Sequence, residues 1–366
     1  MKRIVLKIGS AVLTDGSGRL DDDAVRGITR EVSRLLKSGV EVILVSSGAI
    51  AAGMSLLNIK KRPADLAELQ SIAAIGQTRL MDTYNKYFRK YGRLTGQILI
   101  TQDDFDDRRR FLNIRYTIGT LLKRGVVPVV NENDTISTEE IKCGDNDRIS
   151  YLVADSIGAD TLILLTNVDG LLGADGRVVR EIADLSADVH ELASGRACGK
   201  AAVSGAGTGG MRTKLMAAEC AVRAGIDCYI ANGKREGVIN EVIKGSGCFT
   251  FFKAKTTNAT ARKRWIGFGS KAKGEVRVDD GARSAVIDKH KSLLSAGIVC
   301  VAGEFRAGDI IDVCAKDGSG FARGITNYSS DEIKRIKGVK TGQIETILGY
   351  KDHDEVIHRD NLFIRE

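Results

Sequence analysis

The sequence predicts an α/β protein: a three-layer αβα sandwich around a mostly parallel sheet, followed by a small β-rich domain. Three observations carry this. Short apolar segments alternate with helix-period patterns over the first 230 or so residues, the rhythm of repeated βαβ units. Segments such as "VEVILV" and "TLILLT" are continuous apolar runs, as expected for strands covered by helices on both faces. Beyond about residue 250 the rhythm gives way to brief alternating segments broken by glycine.

The elements follow in order. "RIVLKIG" (3–9) is an apolar strand ending in glycine. In the next segment Val25, Ile28, Val32, Leu35 and Leu36 recur at helical spacing, with Asp21 or Asp22 as N-cap and Gly39 as the stop. "VEVILV" (40–45) is the second strand. A long helical region around 64–91 leads to "GQILIT", and a helix near 111–124 leads to "VVPVV". A helix near 148–158 leads to "TLILLT", and one near 210–224 leads to "DCYIA". Parallel strands present their carboxyl ends on one edge, where such sheets bind ligands. The loops after these strands, "KIGS", "SSGAIAAG", "NENDT" and "TNVDG", are all polar or glycine-rich.

At 366 residues, two domains are expected. We place a catalytic domain at 1–252, a basic linker at 253–273, and a β-rich domain with one or two helices plus a tail at 274–366. No apolar run approaches the ~20 residues of a membrane span, and "MKRIVLKIGS" enters a strand pattern without a signal core. Seven cysteines without a C-x-x-C pair read as reduced thiols, which points to a cytoplasmic protein. The net charge of +8 is unevenly spread. Residues 244–273 hold eight basic side chains and no acids, whereas 274–366 hold 14 basic and 16 acidic. RNA binding by the C-terminal region is therefore not expected, although the basic linker keeps it as the alternative from another class.

In "SGAGTGGMRTKLMAAECAVRAG", Gly205, Gly207 and Gly210 spell G-x-G-x-x-G, but no strand precedes them and Asp227 would begin a strand rather than end one. A dinucleotide fingerprint is thus disfavoured. What remains is a glycine loop feeding a helix N-terminus, with Lys214 one turn in, an arrangement suited to a phosphate. Lys7 interrupts an apolar strand at its ligand-binding end; an edge-strand lysine would look the same. Ser47, Asp134 and Asp147 are each open to a capping or a ligand role, Asp147 as cap of the helix near Arg148. The four histidines (190, 290, 353, 358) lie outside the strand-end loops, which disfavours a zinc site and a histidine base. Lysines, carboxylates and glycine loops suit phosphoryl transfer, which needs positioning and charge neutralisation more than a base.

Together "KIGSAVLT", "VSSGAIAAG", "RRRFLNIRYT", "VVPVVNENDTIST", "IKCGDNDRIS" and "GTGGMRTKLMAA" resemble the glutamate 5-kinase family, of the amino acid kinase fold, over about 3–232. The region 274–353 resembles a PUA module. The resemblance implies ATP-dependent phosphorylation of the L-glutamate side-chain carboxylate to γ-glutamyl 5-phosphate, the first step of proline biosynthesis. It implies Lys7, Asp147 and Lys214 as catalytic, and Ser47, Asp134 and Asn146 as glutamate-binding. Lys7, Thr166, Asn167, Thr208, Gly209, Gly210, Met211, Arg212, Thr213 and Lys214 match the nucleotide-binding positions. It further implies Mg²⁺ accompanying ATP, with no direct protein ligand assigned, proline as feedback inhibitor, a homo-oligomer (dimer or tetramer), and handover to glutamyl phosphate reductase. Asn167 stands where the family often has aspartate, and Arg148 follows the DND run where a smaller or neutral residue is expected. The nearest alternative is another kinase of the same fold, acting on aspartate, acetylglutamate, carbamate, UMP or isopentenyl phosphate.

Overall fold

The computed structural model describes residues 2–137, 146–183, 210–254, 266–267 and 272–365. Internal contacts divide the chain into two units, Met1–Thr257 and Asn258–Glu366. In the first, the chain runs β1 (Arg3–Ile8), α1 (Ser10–Leu13), α2 (Asp22–Lys37), β2 (Glu41–Ser46), α3 (Ala49–Leu56), α4 (Leu66–Arg89), β3 (Thr95–Ile100), α5 (Asp103–Asp106), α6 (Arg108–Lys123) and β4 (Val127–Glu132). It continues through α7 (Asn146–Ile157), β5 (Thr161–Thr166), β6 (Glu181–Ile182), α8 (Met211–Arg223), β7 (Asp227–Asn232), α9 (Val238–Lys244) and β8 (Phe249–Phe252).

The strands form one sheet in the order β3-β4-β2-β1-β5-β7-β8-β6, parallel except where β7 meets β8. β1 is central, flanked by β2 on one side and β5 on the other. The chain winds outward from β1 to β2, then crosses back to β5. The carboxyl end of β1 is therefore a topological switch point, the place where open α/β sheets open a crevice for ligand. The strand-end loops are tied there: the N–H of Ser47 donates to Ile8 O at 3.1 Å, that of Gly9 to Leu165 O at 3.0 Å, and that of Gly233 to Thr166 O at 2.8 Å.

α7 makes the crossover. It packs across β1, β2, β4 and β5, and every residue of it except Arg148 is buried. Asp21 caps α2 by accepting from the N–H groups of Asp23 and Ala24, and Gly39 ends the turn at φ +85°.

Three expectations need correction. "SSGAIAAG", read as a loop, runs into α3, whose small residues let it lie directly on α4. The helix expected near 111 begins at Arg108, capped by the Asp107 carboxylate on Arg110 N. Asp147 lies inside α7 rather than at its cap. Phe249–Phe252, at the end of the expected first domain, is a strand antiparallel to β7.

The second unit has a five-stranded sheet, β10-β9-β11-β12-β13, built from β9 (Gly274–Val278), β10 (Ile298–Gly303), β11 (Ile310–Cys314), β12 (Gly320–Ile325) and β13 (Leu362–Ile364). Among the described residues three short α-helices accompany it where one or two were expected: α10 (Asp280–Ile287), α11 (Ser330–Ile336) and α12 (Ile344–Leu348). Its own core gathers Val276, Ile311, Val313, Tyr328, Ile333 and Ile357. A unit with a separate core meets the physical definition of a domain.

Candidate functional site

Lys7 lies on the central strand, paired to Val45 and Leu164, and is only 4% exposed. That removes the edge-strand explanation. Its ammonium sits 2.6 Å from Asp147 Oδ1. Lys214, in the first turn of α8 and also 4% exposed, sits 3.2 Å from Asp147 Oδ2. Thr213 donates its hydroxyl to the same oxygen at 2.7 Å. The crossover helix thus drives a carboxylate between two lysines that are 207 positions apart in the chain, by subtraction of their numbers. Asp147 is fully buried and does not cap α7: its oxygens face Lys7, Lys214 and Thr213.

The electrostatics follow from this count. Burial pushes the Asp147 carboxyl up, but the ammonium charges of Lys7 and Lys214 outweigh it and hold the group below the usual carboxylate range. Burial pushes Lys214 down; Asp147 opposes that shift and Lys7 adds to it. Two ammonium groups thus meet at one carboxylate at a buried strand end, where they could also face an incoming anion.

Beside this cluster, Asn146 donates from Nδ2 to Ser47 Oγ at 3.0 Å. The N-cap of α3 is Gly48, at φ +100° and with no side-chain cap, so Ser47 is spent on Asn146 rather than on capping. Asn146 and Asp147 are neighbours on a helix, so an amide-and-hydroxyl pair adjoins the charged cluster. Asp134 lies half-buried in the turn after β4. Thr166 ends β5 buried, with exposed Asn167 following it. Gly210 is the N-cap of α8, and Met211, Arg212 and Thr213 form its first turn. Thr208, Gly209, Gly205, Gly207 and His190 lie outside the described residues.

Arg148 is the half-buried member of α7, and its charge is felt at Cys220 of α8, whose thiol burial pushes up to about 11. Asn131 and Gln77 were not singled out from sequence, yet Asn131 Oδ1 accepts from Asn146 Nδ2 at 3.2 Å and Asn131 Nδ2 donates to Gln77 Oε1 at 2.8 Å. A polar residue inside the wholly buried strand β4 is the signal that points to Asn131.

Among the described residues no three or more His, Cys, Asp or Glu side chains gather to hold a metal ion. Among the same residues no helix is long and apolar enough to cross a membrane.

Residues 2–232 match the model of the amino acid kinase family, and residues 274–348 match the PUA domain. A glutamate 5-kinase of Thermoanaerobacter sp. (strain X514) is 45% identical over 370 residues, covering 100% of this chain and 98% of that protein. A glutamate 5-kinase of Enterobacter sp. (strain 638) is 46% identical over 363 residues, 99% of this chain and 98% of that protein. A UMP kinase structure from Ureaplasma parvum aligns with TM-score 0.43 at 14% identity over 69% of this chain and 98% of its own, too distant to carry an argument. On the family match and the full-length relatives together, the chain belongs to the amino acid kinase family and, within it, to the glutamate 5-kinases.

Proposed function

We propose that this protein transfers the γ-phosphoryl group of ATP to the side-chain carboxylate of L-glutamate, forming γ-glutamyl 5-phosphate at the head of proline biosynthesis. The observation that carries the reading is the buried Lys7–Asp147–Lys214 cluster beside the Ser47–Asn146 pair.

A glutamate side chain is ionised at neutral pH, its ordinary pKa being ~4.3, so its oxygen attacks phosphorus without a base. A carboxylate O–P bond forms, the bond from the γ-phosphorus to the β–γ bridging oxygen breaks, and ADP leaves with that electron pair. No proton moves. The obstacle is repulsion between a carboxylate and a polyphosphate. Lys7 and Lys214 offset it, while Asp147 and Thr213 hold them in place. Ser47, Asn146 and Asp134 hold glutamate, Asp134 suiting its ammonium. Thr166, Asn167 and the 208–214 segment take the nucleotide. Mg²⁺ would enter with ATP, held by phosphate oxygens and water, since both Asp147 oxygens already face ammonium or hydroxyl groups.

On this reading 1–252 is the catalytic domain, 253–273 a linker and 274–366 the PUA-like domain and tail. Proline would inhibit near the glutamate site, the enzyme would act as a cytoplasmic homo-oligomer, and the labile product would pass to a reductase. The test is hydroxamate trapping of acyl phosphate with ATP, Mg²⁺ and a panel of acids, with and without proline. Product with glutamate supports the proposal; product only with aspartate or acetylglutamate overturns it.

A further inference from the structure

Gln77 lies on α4, away from the strand-end loops, yet it is 9% exposed and belongs to a chain of buried amides. Asn131 Oδ1 accepts from the N–H of Glu132 at 2.9 Å and from Asn146 Nδ2 at 3.2 Å. Asn131 Nδ2 donates to Gln77 Oε1 at 2.8 Å.

A backbone N–H can only donate, so the Glu132 amide fixes which way round this chain runs. Asn131 must turn its oxygen toward Glu132 N and its nitrogen toward Gln77. Gln77 must then present its oxygen, and Asn146 must present its nitrogen to Asn131. The carboxamide oxygen of Asn146 is consequently left over, buried and, among the described residues, without a hydrogen-bond partner. A buried acceptor in that state is costly unless a ligand supplies the donor.

The place of Gln77 is itself fixed by close packing. A Cβ on the preceding Gly76 would lie 1.8 Å from Ala49 O and 2.3 Å from Gly53 N; one on Gly53 would lie 2.0 Å from Ile72 O. α3 and α4 therefore touch backbone to backbone one residue from Gln77, and α3 starts directly after Ser47 and Gly48. Both ends of the polar chain, Gln77 and Ser47, are referenced to one helix contact.

We propose that Gln77 is a positioning residue for the amino-acid substrate. Acting through Asn131, it holds the Asn146 amide so that Oδ1 accepts from the substrate's α-ammonium. The inference rests on the glutamate-kinase reading above. The test is Gln77→Met, of similar length but with only a weakly accepting thioether in place of the amide oxygen, assayed with glutamate and ATP varied separately. Among the described residues Gln77 Nε2 has no partner, so the change removes only the bond from Asn131 Nδ2 and the variant is expected to fold. The KM for glutamate should rise about ten-fold, the factor for one lost hydrogen bond near 1.4 kcal/mol, with the KM for ATP within about two-fold. In an Asn131→Leu background the same substitution should have no further effect on glutamate KM. An unchanged glutamate KM in Gln77→Met, or an undiminished effect in the Asn131→Leu background, would overturn the inference while leaving the kinase reading intact. Wild-type protein inactive on glutamate would instead overturn that reading, and this inference with it.

Discussion

Asp147→Asn is the most informative single change, because it keeps shape while deleting the charge that two buried lysines share. At 2.6 Å and 3.2 Å, with an effective dielectric constant of ~20, the gross attractions are about 6 and about 5 kcal/mol. The net loss is smaller, because removing one partner of a buried ion pair typically costs ~3–5 kcal/mol. It also has a ceiling: the protein can shed one lysine proton instead. From a pKa of ~10.4, at 1.36 kcal/mol per unit, that costs about 4 kcal/mol at pH 7.5 and about 1 kcal/mol at pH 9.5. The expected destabilisation of the first unit is therefore ~3–4 kcal/mol at pH 7.5, falling to about 1 kcal/mol at pH 9.5. In melting temperature the neutral-pH loss amounts to roughly 6–16 °C for a domain of this size. Turnover should drop about 100-fold or more from lost alignment, while the KM for ATP does not rise, since the lysines remain available to phosphate. Urea unfolding of wild type and variant at both pH values, beside steady-state kinetics, checks this. A destabilisation that is the same at pH 7.5 and 9.5 would refute the charge argument.

Four further outcomes follow from the structure. Lys7→Ala or Lys214→Ala should lower kcat far more than it changes the KM for glutamate, and near-wild-type turnover in either would remove that lysine from the reaction. Because burial depresses the Lys214 pKa, its proton is lost on the alkaline side before that of a free lysine. The free-enzyme profile, kcat/KM for ATP, should thus fall as pH rises at values below ~10.4, and the kcat limb should lie higher because bound phosphate favours the ammonium; coincident limbs would contradict this. Gly76→Ala should destabilise by at least ~1–3 kcal/mol, since its Cβ would meet backbone 1.8 Å away that no rotamer change can move. Gly27→Ala, inside α2 with nothing within 4 Å, should stabilise by ~0.5–1 kcal/mol, and the two denaturant midpoints moving in the same direction would show the packing argument to be wrong.

Much of the first unit was legible because the physics acts locally. Continuous apolar runs marked β1, β2 and β5, an Asp cap and a Gly stop bounded α2, and polar loops flagged the strand ends. α3 was not legible: a segment of alanines and glycines lacks the apolar stripe that announces a helix, and its stability comes from contact with α4. β8 was hidden for a related reason. Its four residues sit next to a basic stretch, and only pairing with β7 and β6 makes them a strand.

The candidate site divides the same way. The sequence by itself determined the chemistry present: lysines at a strand end and a helix start, a DND run, and no histidine in the strand-end loops. It also determined the fold class, because hydrophobic period is a local property. Only the tertiary structure decided that Lys7 is central and buried, that Asp147 bridges two lysines instead of capping α7, and that Ser47 serves Asn146 across 99 positions. Gln77 lay furthest from view, since on α4 it is one more polar residue between apolar ones. Its meaning depends on which way an amide 54 residues away is turned, and the Glu132 backbone N–H sets that only after β4 has formed beside α7. Charge pairing and hydrogen-bond direction are non-local, so folding supplies them and sequence spacing does not.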